Sequence, residues 1–96
     1  MQLLVRAAAA ADVEEAYLWY QRQRAGVGEE FLEAVDAILR EIATHPKAYP
    51  VIHRETRRAL LRRFPYAIFF RVYDETMVVI ACMHGRRNPI RWKSRT

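Results

Sequence analysis

Three observations predict an α+β domain in which a helix hairpin packs on a small, mainly antiparallel sheet. Apolar residues recur at helical spacing through two stretches, 10–20 and 31–42, separated by Gly26 and Gly28. Beyond Pro46 and Pro50 the pattern changes to period two, with β-branched and aromatic residues crowded into 66–83. The helical and strand regimes are segregated along the chain, as in an α+β domain. With a short apolar strand at the start, the expected order is β-α-α-β-β-β.

Residues 2–6, Gln2-Leu3-Leu4-Val5-Arg6, are apolar and too few for a helix, so they read as the first strand. From residue 8 to about 24, Ala10, Val13, Ala16, Tyr17 and Tyr20 mark one helical face. Asp12, Glu14 and Glu15 near its start, with Arg22 and Arg24 at its end, have the polarity that a helix dipole favours. Gly26 and Gly28 close this helix and open the next, where Phe31, Ala34, Val35, Ile38, Leu39 and Ile42 form an apolar stripe. His45-Pro46 ends the second helix, because proline lacks an amide donor and restricts its predecessor, and 45–56 is expected as a loop.

A strand over 58–64, a second over 66–73, a turn at Asp74-Glu75 and a third strand over 76–83 then form a meander. Tyr66, Ile68, Phe70 and Val72 alternate with Ala67, Phe69, Arg71 and Tyr73, so one strongly apolar face needs the helix hairpin as cover. Gly85 ends the last strand, and the basic tail, about 86–96, is expected to lie outside the core.

Ninety-six residues suit one domain, 1–96, with a core small enough to gain stability from a bound partner. The single cysteine, Cys82, lies in an apolar run, which excludes an intrachain disulfide framework and a Cys-rich zinc site. No ligand pattern surrounds His45, His53 or His84, so neither metal nor cofactor is expected. The first residues lack a signal-peptide pattern and no window approaches about 18 apolar residues, so a cytoplasmic location without membrane contact is expected. Charge divides sharply: 1–50 carries a net −3 and 51–96 a net +8. A one-sided basic surface of this kind attracts nucleic acid or acidic protein.

The strand-helix-helix-three-strand order, the aromatic pair Tyr17 and Tyr20, the His45-Pro46 break, the segment Phe64-Pro65-Tyr66-Ala67-Ile68-Phe69-Phe70-Arg71-Val72 and the ending His84-Gly85-Arg86-Arg87-Asn88-Pro89 together resemble the RelE/ParE toxins. The resemblance covers almost the whole chain and implies the toxin of a bacterial type II toxin–antitoxin system of the plasmid-stabilisation kind, causing growth arrest. It also implies a cognate antitoxin as partner, in a hetero-oligomeric complex. Members are either ribosome-dependent mRNA endonucleases, the RelE side, or DNA gyrase poisons, the ParE side, on one fold.

In the nucleases the chemistry is attributed to basic residues of the second strand, an arginine on the third, an arginine after the last, and a tail tyrosine. Such groups take the 2′-hydroxyl proton and stabilise phosphorane-like charge. Here Arg58, Arg62 and Arg63 keep the basic second strand and Arg87 matches the arginine after the last. The third-strand arginine is replaced by Ala67, and the tail offers Trp92, which has no titratable group. The resemblance is therefore nearer ParE.

The gyrase reading assigns target contact to Arg58, Arg62, Arg86, Arg87, Arg91 and Trp92, and antitoxin contact to Tyr17, Trp19, Tyr20 and Arg71, with no bond cleaved. The alternatives are a nuclease acting at the ribosome on mRNA through Arg62, His84 and Arg87, and a degenerate toxin that only binds its partner. Strand alternation puts Arg58 and Arg62 on one face and Arg63 on the other.

Overall fold

A helical stripe at 31, 35, 38 and 42 needs a hydrophobic wall to cover it, and the last two strands provide that wall. In the computed structural model, which describes residues 1–85 and 89–96, the chain runs β1 (Gln2–Val5), α1 (Ala7–Gln23), α2 (Val27–Thr44), a 3-10 turn (Pro46–Ala48), β2 (Val51–His53), β3 (Thr56–Leu60), β4 (Tyr66–Tyr73), β5 (Thr76–His84) and α3 (Ile90–Lys93). The five strands form one sheet ordered β1-β5-β4-β3-β2. Only β1 runs parallel to its neighbour β5; the other pairs are antiparallel. The α+β class and the predicted element order hold, with β2 and α3 added.

On the inner face Phe31, Val35, Ile38 and Ile42 of α2 bury against Ile68, Phe70, Met77, Val79 and Cys82. Phe31 is wholly buried and packs beside the rings of Tyr20, Phe64 and Tyr66 at 5.3–5.4 Å between centroids. Truncating such a phenylalanine costs about 3–5 kcal/mol. α1 contributes mainly small residues, Ala9 and Ala16, which let it lie close over the sheet.

The hairpin link depends on Gln21. Its side-chain oxygen accepts the amides of Gly26 (3.2 Å) and Gly28 (2.9 Å), satisfying donors that α2 leaves open at its start. Gly26 sits at φ 96°, where side chains are strained, and a Cβ on Gly28 would come 2.8 Å from the Tyr17 ring.

Four expectations need correction. The loop at 45–56 contains a 3-10 turn and the edge strand β2. The strand expected at 58–64 is shorter and earlier, because Arg62 and Arg63 belong to the turn into β4, where Arg63 adopts φ 67°. Arg58 and Arg62 therefore do not share a strand face. α1 begins at Ala7, so no acid falls in its first turn, and the dipole role given to Asp12 does not apply.

The fourth correction concerns the tail, which is not outside the core. α3 covers the outer face of the sheet, where Trp92 buries together with Ala67, Phe69, Ile80, Ala81 and Met83. The outer face needed this cover because a bulge at Phe69/Phe70 turns both Ile80 and Ala81 of β5 toward it. Among the described residues, no helix is long and apolar enough to cross a membrane.

Candidate functional surfaces

Two surfaces gather some of the residues singled out in the sequence. The first is the outer sheet face. The Trp92 ring stacks on Phe69 at 4.7 Å and 17°, and His53 meets its edge at 6.0 Å. Trp92 is thus a seat for α3, and its ring is turned to the sheet rather than outward.

Arg95 fixes the same segment. Its guanidinium bonds both carboxylate oxygens of Asp12, one at 3.1 Å, and Asp12 also accepts the Cys82 amide at 3.0 Å. The pair is mostly shielded from solvent, so the charge-assisted bonds are stronger than those of an exposed ion pair.

Arg71 belongs to this face too. It donates to Thr56 Oγ1 (3.2 Å), the Tyr73 hydroxyl (3.0 Å) and the Thr96 carbonyl (3.1 Å), joining β3, β4 and the tail. Arg58 is the cross-strand partner of Phe69 and so lies on the same face. Arg54, in the β2–β3 turn, and Lys93 complete a group of cations; sequence reasoning missed Arg54 and the grouping itself. The His53 pKa is lowered by burial first, then by Lys93, Arg54 and Arg71, and Lys93 Nζ lies 5.7 Å from the centroid of the Trp92 ring that His53 also meets. Their sequence signal was weak, since 54, 71 and 93 are far apart in the chain and only the folding of β2 and α3 brings them together.

The second surface is a groove of about 690 Å³ along α1, lined by Leu18, Trp19, Tyr20, Pro65, Tyr66 and His84, with Glu15 and Arg22 among its charged residues. Trp19 is half exposed, and its ring edge meets Tyr20 at 5.0 Å. Burial first, and Tyr66 second, push the Tyr20 phenol above its ordinary pKa. The His84 ring lies 5.5 Å from that of Tyr66.

Of the four residues assigned to antitoxin contact, Trp19 and Tyr20 line this groove. Tyr17 instead bonds Glu29 at the helix hairpin, and Arg71 is on the outer face. Of those assigned to target contact, Arg58 and Trp92 are on the outer face, whereas Arg91 lines a polar cleft between α1 and α3 with Asp12, Glu15 and His84. Arg62 is elsewhere again, 3.4 Å from Glu41 beside α2. Arg86 and Arg87 lie outside the described residues. The candidate nuclease residues Arg62 and His84 line different grooves, and Ala67 is wholly buried in the outer layer.

Comparison with known proteins matches residues 3–89 to the family model of the ParE toxin of the parDE type II toxin–antitoxin system. Toxin ParE2 of Mycobacterium tuberculosis, in each of two strains, is 34% identical over 55 residues. That match takes in 57% of this chain, and the chain spans about half the length of these curated relatives, 52%. A solved structure described as the chromosomal ParDE TA system from P. aeruginosa superposes with a TM-score of 0.68, covering 88% of this chain and 95% of that one at 23% identity, a likeness of fold.

Proposed function

The chain belongs to the ParE toxin family of type II toxin–antitoxin systems, and from that premise we propose that it poisons DNA gyrase, cleaves no bond itself and is held inactive by a cognate antitoxin. The observation that carries the choice of target is Ala67. Where the nucleases carry a third-strand arginine, this chain has a wholly buried methyl group within an apolar layer. A methyl group at this position can neither hold a phosphate nor move a proton. The tail aromatic is Trp92, seated against Phe69, and His84 and Arg62 line separate grooves.

The α1 groove is the surface that suits the antitoxin. It offers a half-exposed tryptophan and an apolar cavity on a chain of net charge +5, a combination that fits an acidic segment with apolar anchors folding as it binds. Truncating Trp19 to alanine is expected to weaken antitoxin binding by about 2 kcal/mol, the range of an interface hot spot, as read by calorimetry with the purified partner.

Expression in a bacterial host tests the target. Growth arrest with an induced DNA-damage response, trapped gyrase–DNA cleavage complexes and intact mRNA is the expected result. Messenger RNA cut within translated codons, with undamaged DNA, would replace this reading with the nuclease one, and no arrest would point to a degenerate toxin.

A further inference from the structure

We propose that the outer face of the sheet binds the phosphate backbone of duplex DNA through Arg54, Arg58, Arg71 and Lys93. These four side chains come from the β2–β3 turn, β3, β4 and α3, and converge on the face that carries His53. The nearest acid along the chain is Glu55 in the same turn, and Asp12, at the edge of α3, is already bound by Arg95. The local balance is therefore strongly positive.

The layer beneath the cations distinguishes nucleic acid from an acidic peptide. Phe69, Ile80, Ala81, Met83 and Trp92 are each under 10% exposed, so the centre of the face has no apolar opening to take a peptide side chain, and its exposed Leu60 and Tyr73 lie at the ends of β3 and β4. Recognition over that centre rests on guanidinium and ammonium groups, which is how proteins hold a phosphate backbone without reading sequence. The two large rings of the face, Phe69 and Trp92, are stacked on one another and so cannot stack an unpaired base, which favours a duplex over a single strand.

The choice of DNA over RNA rests on the gyrase reading. The toxin would then engage its target as a protein–DNA complex, with the outer face on the DNA and other residues on the enzyme.

Fluorescence anisotropy of the purified full chain with a labelled mixed-sequence duplex tests this. Four phosphate contacts predict affinity falling roughly 100-fold between about 50 and about 200 mM salt. The pair Arg54→Glu/Lys93→Glu is expected to weaken binding at least about tenfold, and Arg54→Gln/Lys93→Gln in the same direction by less. The charge-matched pair Arg24→Glu/Arg40→Glu, on the helix hairpin, should change it less than about threefold. Thermal melting of each variant verifies folding.

Equal loss in both glutamate pairs would mean attraction by net charge and would overturn the assignment to this face. Absence of duplex binding at low salt, tighter binding of single-stranded RNA, or displacement of the duplex by a polyglutamate peptide at equal charge concentration would each overturn it. A negative result here leaves arrest and gyrase trapping in cells untouched, so the two readings fail separately.

Discussion

At the scale of single residues, the environment sets chemistry that the sequence leaves open. His53 lies among Lys93, Arg54 and Arg71, and burial and these charges hold its pKa below the usual 6.5. Lys93→Gln is expected to move it back upward, measured by NMR titration of the ring; no movement would remove Lys93 from the cluster. Because the unfolded chain binds the proton first as pH falls through 6.5, this group lowers stability on acidification toward the depressed folded pKa. Above 6.5 the penalty vanishes. Cys82 presents the opposite case: burial, then Asp12, push its thiol up to about 12. The native protein is expected to resist thiol alkylation over hours while the urea-unfolded chain reacts rapidly, and fast native labelling would contradict that burial.

At the scale of elements, helix stripes and strand alternation were legible because each has a fixed period. What stayed hidden depended on side-chain contacts between elements. Gln21 gives no capping signal at its own position, yet it serves the start of α2 from the end of α1. Gln21→Ala is expected to cost about 1 kcal/mol in urea unfolding, as lost caps do. Gly28→Ala, which forces the Tyr17 ring away, should cost about 1–3 kcal/mol.

The tail was read as external because five cations with no acid do not resemble a core element. Its acid, Asp12, comes from α1, eighty-three residues away. Asp12→Asn weakens this pair and is expected to cost about 2 kcal/mol and to free α3. In a Trp19→Phe background, Trp92 emission should then shift to the red, whereas an unchanged spectrum would mean that stacking on Phe69 alone holds the segment.

At the scale of the whole molecule, the sheet separates two tasks. Its inner face and helix hairpin make the core, and the edge of α1 with Pro65, Tyr66 and His84 forms an apolar groove suited to a folding partner. The centre of the outer face is sealed with apolar residues and the face bears cations. The fold and the family were legible because strand order and the Phe64-Pro65-Tyr66 and His84-Gly85-Arg86-Arg87 segments lie in linear sequence. The surfaces were only partly so. Arg58 and Trp92, assigned to the target, and Arg71, assigned to the antitoxin, meet on one face, while Arg62, grouped with Arg58 by alternation, leaves it where β3 ends at Leu60.

Gyrase poisoning without bond cleavage is tested most directly in a purified system. The chain is added to gyrase, ATP and supercoiled plasmid, with translating ribosomes and mRNA in a parallel reaction. Accumulation of enzyme-linked, linearised plasmid with intact mRNA is the predicted result, and it should disappear when gyrase is omitted. Cleaved mRNA beside unchanged plasmid would contradict it and assign the chain to the ribosome.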